Sequence, residues 1–331
     1  MPAAPIATAA SAAPAQVRQL TVDEGSDGQR LDNFLTRELK GAPKTLIYRI
    51  IRSGEVRINK GRCAADSRLA TGDIVRVPPL RLSEKPADPS VPAREFPIVF
   101  EDDHLIVVDK PAGVAVHGGS GVSFGVIEQL RRARPQAKFL ELVHRLDKET
   151  SGLLMIAKKR SALTHLQDQL RERETGKTYA ALVAGSWTAS RKVVDVPLLK
   201  FIGSDGERWV RAVTDSNDSH ADQAKRSISL VRIAEALPGY SLLDVTIKTG
   251  RTHQIRVHLS HEGHPIVGDP KYGDFEANRA LARGALRFDR MFLHARQLRF
   301  NHPATGDTLT LHAPLPDDCE KLLAALRRGA R

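Results

Sequence analysis

The sequence predicts an α+β chain in two bodies, a small αβ unit followed by a larger α+β domain built on a mainly antiparallel sheet. Three observations carry this. The 331 residues suffice for two domains at about 150 residues each. A stretch rich in proline and charge interrupts the chain at 80–97. On either side of it, strand-like and helical apolar patterns mix, continuing to about residue 315.

Taken in order, residues 1–17 are mostly Ala, Pro, Ser and Thr without a charge, and are expected to form a disordered tail. They lack the basic n-region and apolar h-region of a secretory signal. A unit over 18–80 begins with a helix whose Leu31, Phe34, Leu35 and Leu39 share one face, ended by Gly41 and Pro43. A second helix, Thr45 to Arg52, sets Leu46, Ile47, Ile50 and Ile51 on one arc and Lys44, Tyr48, Arg49 and Arg52 on the other. Gly54 breaks it, and short strands follow at Glu55 to Asn59 and Asp73 to Val77. Residues 81–95 are a linker, 96–315 the larger domain, and 316–331 a tail whose Cys319 to Arg328 form an amphipathic helix. The larger domain opens with FPIVFEDDHLIVVDKPAG, two strands around an acidic turn.

Composition narrows the function classes. No run of about 18 apolar residues occurs, so no membrane span is expected. The two cysteines, Cys63 and Cys319, form no metal pair and suggest no disulfide framework, which points to a reducing cytoplasm. Net charge is +11, a sign of a polyanionic partner. From Arg30 to Arg76 there are eleven Lys and Arg against five Asp and Glu, so more than half the excess sits in about a seventh of the chain. The run GQRLDNFLTRELKGAPKTLIYRIIRSGEVRINKGR, closed by LATGDIVRVPP, resembles the S4 RNA-binding domain. The resemblance implies a grip on structured RNA through Lys44, Arg49 and Arg52.

Three segments of the larger domain carry chemistry. In VHRLDKETSGLLMIAK a polar turn runs into an apolar strand, placing Asp147 on a loop beside buried structure. Arg145 and Lys148 flank it and favour its ionised form. In RERETGKTYAALVAG a helix ending near Glu174 turns into a strand carrying Tyr179. In IKTGRTHQIRVHLSHEGHPIVGDPKYG a strand ends at Gly250, and Thr252 can cap a helix holding His253, Arg256 and His258. Each has a bland reading by itself: a solvated turn carboxylate, a half-buried strand aromatic, a helix-surface charge.

Together the three segments resemble the ribosomal large-subunit (RluA-type) family of pseudouridine synthases. They hold its HRLD turn, its tyrosine-bearing strand and its GRTHQIRVH block. The stretch KPAGVAVHGGSGVSFGVIE, with the S4-like unit, points to the subgroup of 23S rRNA pseudouridine synthase C. The resemblance implies isomerisation of uridine in bacterial 23S rRNA, free or in a large-subunit assembly intermediate, by a monomer with no cofactor and no metal. The absence of GxGxxG and GxxxxGK[ST] loops agrees, since no hydride or phosphate moves. It implies Asp147 as the catalytic carboxylate, by attack on C1′, addition to the ring, or removal of a sugar proton. Arg256 would be its ion-pair partner, and Tyr179 would stack on the uracil and assist proton transfer at C5. The base must be flipped out of its stack at a cost of a few kcal/mol, with Arg145 suited to fill the space it leaves. His144 and Arg251 would add RNA contacts.

Rival classes make separate demands. A metal hydrolase could use His258, His261 and His264 with His253, but the segment lacks the HExxH glutamate and any nearby cysteine. A glycosylase using one Asp would release free uracil. A non-catalytic assembly factor would be expected to have lost Asp147, Tyr179 or Arg256, and all three are present.

Overall fold

The computed structural model describes residues 16–39, 42–80, 91–119, 122–204, 206–215 and 218–329. Residues 1–15 of the expected tail, the Gly41 breaker and most of the linker lie outside these residues. The chain divides into two compact units, Met1–Ser90 and Val91–Arg331.

In the first unit, strand β1 (Arg18–Thr21) leads to helices α1 (Leu31–Glu38) and α2 (Lys44–Arg52), then strands β2 (Arg57–Ile58) and β3 (Ile74–Val77). The strands form an antiparallel sheet in the order β1-β3-β2. The apolar arcs read from the sequence do the packing: Leu31, Phe34, Leu35, Leu39, Ile47, Ile50 and Ile51 are all buried. Lys44, Tyr48, Arg49 and Arg52 are exposed on the far side of α2. The sequence reading missed β1, four residues of mostly polar pattern that add an edge to β3.

The second unit begins with the antiparallel pair β4 (Ile98–Glu101) and β5 (Leu105–Lys110), the two strands expected around the acidic turn. Helix α3 (Val126–Ala133), strands β6 (Glu141–Leu142) and β7 (Ser151–Ala157), helix α4 (Arg160–Glu172) and strand β8 (Gly176–Ala184) follow. Next come β9 (Val193–Asp195), a hairpin of β10 (Leu198–Ile202) and β11 (Arg208–Ala212), β12 (Ile228–Leu237), β13 (Tyr240–Ile247) and α5 (Gln254–His261). The unit closes with α6 (Phe275–Arg283), β14 (Leu293–Asn301), β15 (Thr308–His312) and α7 (Asp317–Arg327).

Ten strands form one sheet along the path β4-β5-β7-β14-β8-β13-β12-β9, with β15 paired to β14 and β6 to β7. Every pairing is antiparallel except β7 with β14, so the α+β class with a mainly antiparallel sheet is as the sequence predicts. The parallel contact is short, His294 opposite Ser151 and Ala295 opposite Gly152. At φ +106° Gly152 would bring a Cβ to 2.4 Å from the Ala295 carbonyl oxygen, so only glycine lets the two strands approach there. One face of the sheet packs Tyr179, Ala181, Val183, Leu243 and Val245 with α3 and α5. Across Ala180, Leu182 and Leu242 lies α7, which buries Cys319, Leu322, Leu323 and Leu326. The central strands β7, β14, β8 and β13 thus carry the loops that bear the chemistry.

Candidate active site

Asp147 lies on the loop between β6 and β7, Tyr179 on β8, and Arg256 on α5 just beyond β13. Three stretches far apart in sequence meet because β7 and β8 flank β14, and β13 flanks β8 on its other side. They line a cavity of about 530 Å³, whose wall also includes His144, Arg145, Lys177, Lys248, Arg251 and His253. Among the described residues six Lys and Arg side chains border this cavity, and Asp147 is its only carboxylate. Such a cleft concentrates a polyanion around one acidic group.

Arg256 Nη1 stands 3.4 Å from Oδ2 of Asp147, as the resemblance implied. Its stronger hold is on Asp269, a residue with no assigned role in the sequence reading. Nε and Nη2 of Arg256 each bond one Asp269 oxygen at 2.8 Å in a bidentate fork. Burial opposes the charge on Asp269, but the guanidinium and the N–H groups of Tyr272 and Lys271 outweigh it and hold the carboxyl below its ordinary range. The same fork raises Arg256 against the opposing effect of its own burial. Arg256 also lies over the Tyr272 ring, 5.1 Å from its centroid. One nitrogen of a fixed guanidinium is therefore left to face Asp147. Gly268 puts Asp269 in place: at φ +76°, a Cβ there would come within 1.8 Å of the Arg290 carbonyl oxygen. The GDPKYG run held this signal, a glycine in a turn just before an acid.

The cations adjacent to Asp147 in sequence are not its close partners. Lys148 is exposed with its ammonium 4.0 Å from Glu149, and Arg145 is exposed at the cavity wall. The cation that reaches Asp147 comes from 109 residues away. Tyr179 is buried against Val245 and Ala295, and burial together with the Asp147 charge pushes its phenol above the ordinary value. His144 lines the cavity, with Nε2 accepting the Met155 N–H at 3.1 Å. Burial pushes it down to about 3, so it is a neutral ring at physiological pH. Arg251 is exposed beside the cavity.

Thr252 does not cap α5. His253 occupies the N-cap position in a left-handed conformation, and the preceding turn is closed by Gln254, whose Oε1 accepts from Thr249 Oγ1 at 2.7 Å and from the Arg251 N–H at 3.1 Å. The strand before it stops at Ile247, short of Gly250. Behind Asp147, the fully buried Lys110 donates to the carbonyls of Pro111, Val114 and Lys148, and burial lowers it to about 7. Two of the histidines weighed as metal ligands hold protein groups instead. His258 bonds Ser229 Oγ and the Val196 carbonyl, and His264 bonds the Ala184 carbonyl.

The RNA pseudouridylate synthase family matches residues 104–261, and the S4 domain matches residues 29–75. The ribosomal large subunit pseudouridine synthase C of Pasteurella multocida is 51% identical over 317 residues, 94% of both chains. The chain belongs to the RNA pseudouridylate synthase family. The protein of the same description from Haemophilus influenzae is 49% identical over 95% of this chain and 96% of its own. That from Escherichia coli K12 is 48% identical over 94% and 96%. Among solved structures, human RNA pseudouridylate synthase domain containing 4 superposes with a TM-score of 0.56 at 28% identity, covering 70% of this chain and 93% of its own. This pseudouridine synthase therefore carries an S4 domain, with an exposed basic helix α2, ahead of a catalytic domain centred on the ten-stranded sheet. Among the described residues no helix is long and apolar enough to cross a membrane.

Proposed function

We propose that this pseudouridine synthase isomerises chosen uridines in bacterial 23S ribosomal RNA, with Asp147 acting on a flipped-out uridine. The observation that carries this reading is a single carboxylate, backed by a fixed guanidinium, in a cleft that six Lys and Arg side chains also line. Similarity over nearly the whole chain to the large subunit pseudouridine synthases C supports 23S rRNA as substrate.

The C1′–N1 bond breaks, the uracil turns and C1′ joins C5, after which C5 gives up its proton and N1 gains one. A carboxylate beside C1′ serves that change by attacking the sugar, adding to the ring or taking a sugar proton. Arg256 opposes the drift of a sequestered carboxylate towards its neutral acid. Tyr179 offers a ring on which the uracil stacks and a hydroxyl near C5. Arg145, exposed at the rim, fills the space left by the flipped base, and Arg251 and His144 line its path. Lys44, Arg49 and Arg52 hold RNA phosphates from the S4 domain. The enzyme works as a monomer in a reducing cytoplasm on rRNA or an assembly intermediate, without a cofactor.

Chemical mapping of pseudouridine in 23S rRNA, in a strain lacking the gene, tests this. Sites should vanish, return with the wild-type gene and stay absent with Asp147→Asn. An unchanged 23S map would overturn the substrate, and restoration by Asp147→Asn would overturn the catalytic role.

A further inference from the structure

His253 sits at the start of α5 with φ 53° and ψ 20°, a left-handed conformation rare for a side-chain-bearing residue. Such backbone persists when its surroundings over-determine it, and it concentrates at functional sites. Here the surroundings fix the ring. The Tyr272 hydroxyl accepts the Val210 N–H at 3.0 Å and lies 2.8 Å from His253 Nδ1. A phenol has one proton to donate. Among the described residues Nδ1 is the only acceptor within hydrogen-bond reach of that hydroxyl. A Tyr272 proton directed at Nδ1 satisfies both groups, and that arrangement puts the ring proton on Nε2.

Nε2 points towards Oδ2 of Asp147 at 4.0 Å, the same oxygen that Arg256 Nη1 approaches at 3.4 Å. No partner reaches Oδ1 among the described residues. Burial lowers His253 and keeps it neutral, as a single tautomer requires. Tyr272 also carries the Arg256 guanidinium on its ring, so one side chain orients both donors.

We propose that His253 is a positioning residue whose Nε2–H closes on Oδ2 of Asp147 beside Arg256 when uridine binds, leaving Oδ1 as the oxygen that meets the substrate. Catalytic hydrogen bonds are often long in a free enzyme and tighten in the complex. The inference rests on Asp147 being the catalytic carboxylate.

The test begins with wild-type enzyme labelled with 15N in its histidine rings. The His253 signal is identified by its loss in His253→Gln. NMR at neutral pH should show a protonated Nε2 and a bare Nδ1, and a proton on Nδ1 would overturn the proposal. In single-turnover assays His253→Gln, whose amide reaches the Nε2 position, should keep about a third of the wild-type rate. His253→Leu should lose about thirtyfold at unchanged RNA affinity, the loss expected of one hydrogen bond to a charged group. Equal losses for Gln and Leu would overturn the donor role. Asp147→Asn, run alongside, separates the two readings. If it stays active, both fall; if it is dead while Nδ1 carries the proton, the His253 inference falls alone.

Discussion

Lys44, Arg49 and Arg52 lie exposed on α2 with no carboxylate partner among the described residues, whereas Arg256 is 4% exposed and gripped by both oxygens of Asp269. On the function proposed above, the two sets of cations would serve the same RNA in opposite ways. An exposed ammonium or guanidinium keeps its hydration and its freedom, so it adds affinity that salt screens and reads no particular atom. A buried guanidinium has lost its water, and only a fixed partner offsets that loss. What remains is one N–H aimed at Asp147, a contribution to chemistry more than to affinity. On that proposal the S4 domain and the cleft divide binding from reaction.

That division can be broken first at the cleft. Asp147→Asn keeps the shape and removes the charge, so turnover should fall at least about a thousandfold, roughly 4 kcal/mol of barrier, measured as pseudouridine formed per enzyme.

The next largest effects concern the Arg256 fork. Asp269→Asn takes from the buried Arg256 the carboxylate that grips it bidentately and should destabilise the fold by about 3 kcal/mol, read from urea unfolding. Arg256→Ala should cost more activity than Arg256→Lys, which keeps charge without the fork. It should also move the acidic limb of the rate profile to higher pH, because loss of a neighbouring cation favours the neutral acid. An unmoved limb would mean that Arg256 serves structure alone.

A third effect belongs to the fold around the site. His294 is fully buried, accepts from Ser151 Oγ at 2.9 Å, and is pushed by burial down to about 4. Its folded value lies below its unfolded one, so the stability it contributes is fully present above about pH 6.5 and is lost as pH falls through about 4. At full shift this amounts to about 3 kcal/mol. Urea midpoints across that window should fall less steeply in His294→Gln than in the wild type.

The smallest effect is on the binding side. Replacing Lys44, Arg49 and Arg52 together by Ala should flatten the slope of log K against log salt by about two to three units. Parallel lines for variant and wild type would reduce those side chains to a solvated surface.

Local pattern made the basic face of α2 readable: the helix shows its two faces in nine consecutive residues, because helical periodicity sorts apolar from charged positions without knowledge of the rest of the chain. The catalytic side was readable only in part. Asp147, Tyr179 and Arg256 stood out through motifs, and the fold sets Asp147 and Tyr179 in one cavity with Arg256 against Asp147. Asp269, Tyr272 and the orientation of His253 did not stand out. Their roles arise where the turn after α5 folds back beneath Arg256 and meets β11, and no periodicity encodes that meeting. Thr252 was misread for the same reason, since the cap-like residue in sequence was displaced by Gln254 reaching back to Thr249 and Arg251. The flanking Arg145 and Lys148 were read as favouring the ionised form of Asp147, but the cation that approaches it is Arg256, 109 positions away, which only the family resemblance had named.

The separation of binding from reaction is tested most directly by measuring single-turnover rate and RNA affinity together, on one 23S rRNA fragment, for Asp147→Asn and for the α2 triple variant. Asp147→Asn should bind within about twofold of wild type and react at less than about a thousandth of its rate. The triple variant should bind more weakly and react at the wild-type rate once saturated. A tenth of wild-type rate surviving in Asp147→Asn, or a saturated rate that falls with the α2 charges, would contradict the account.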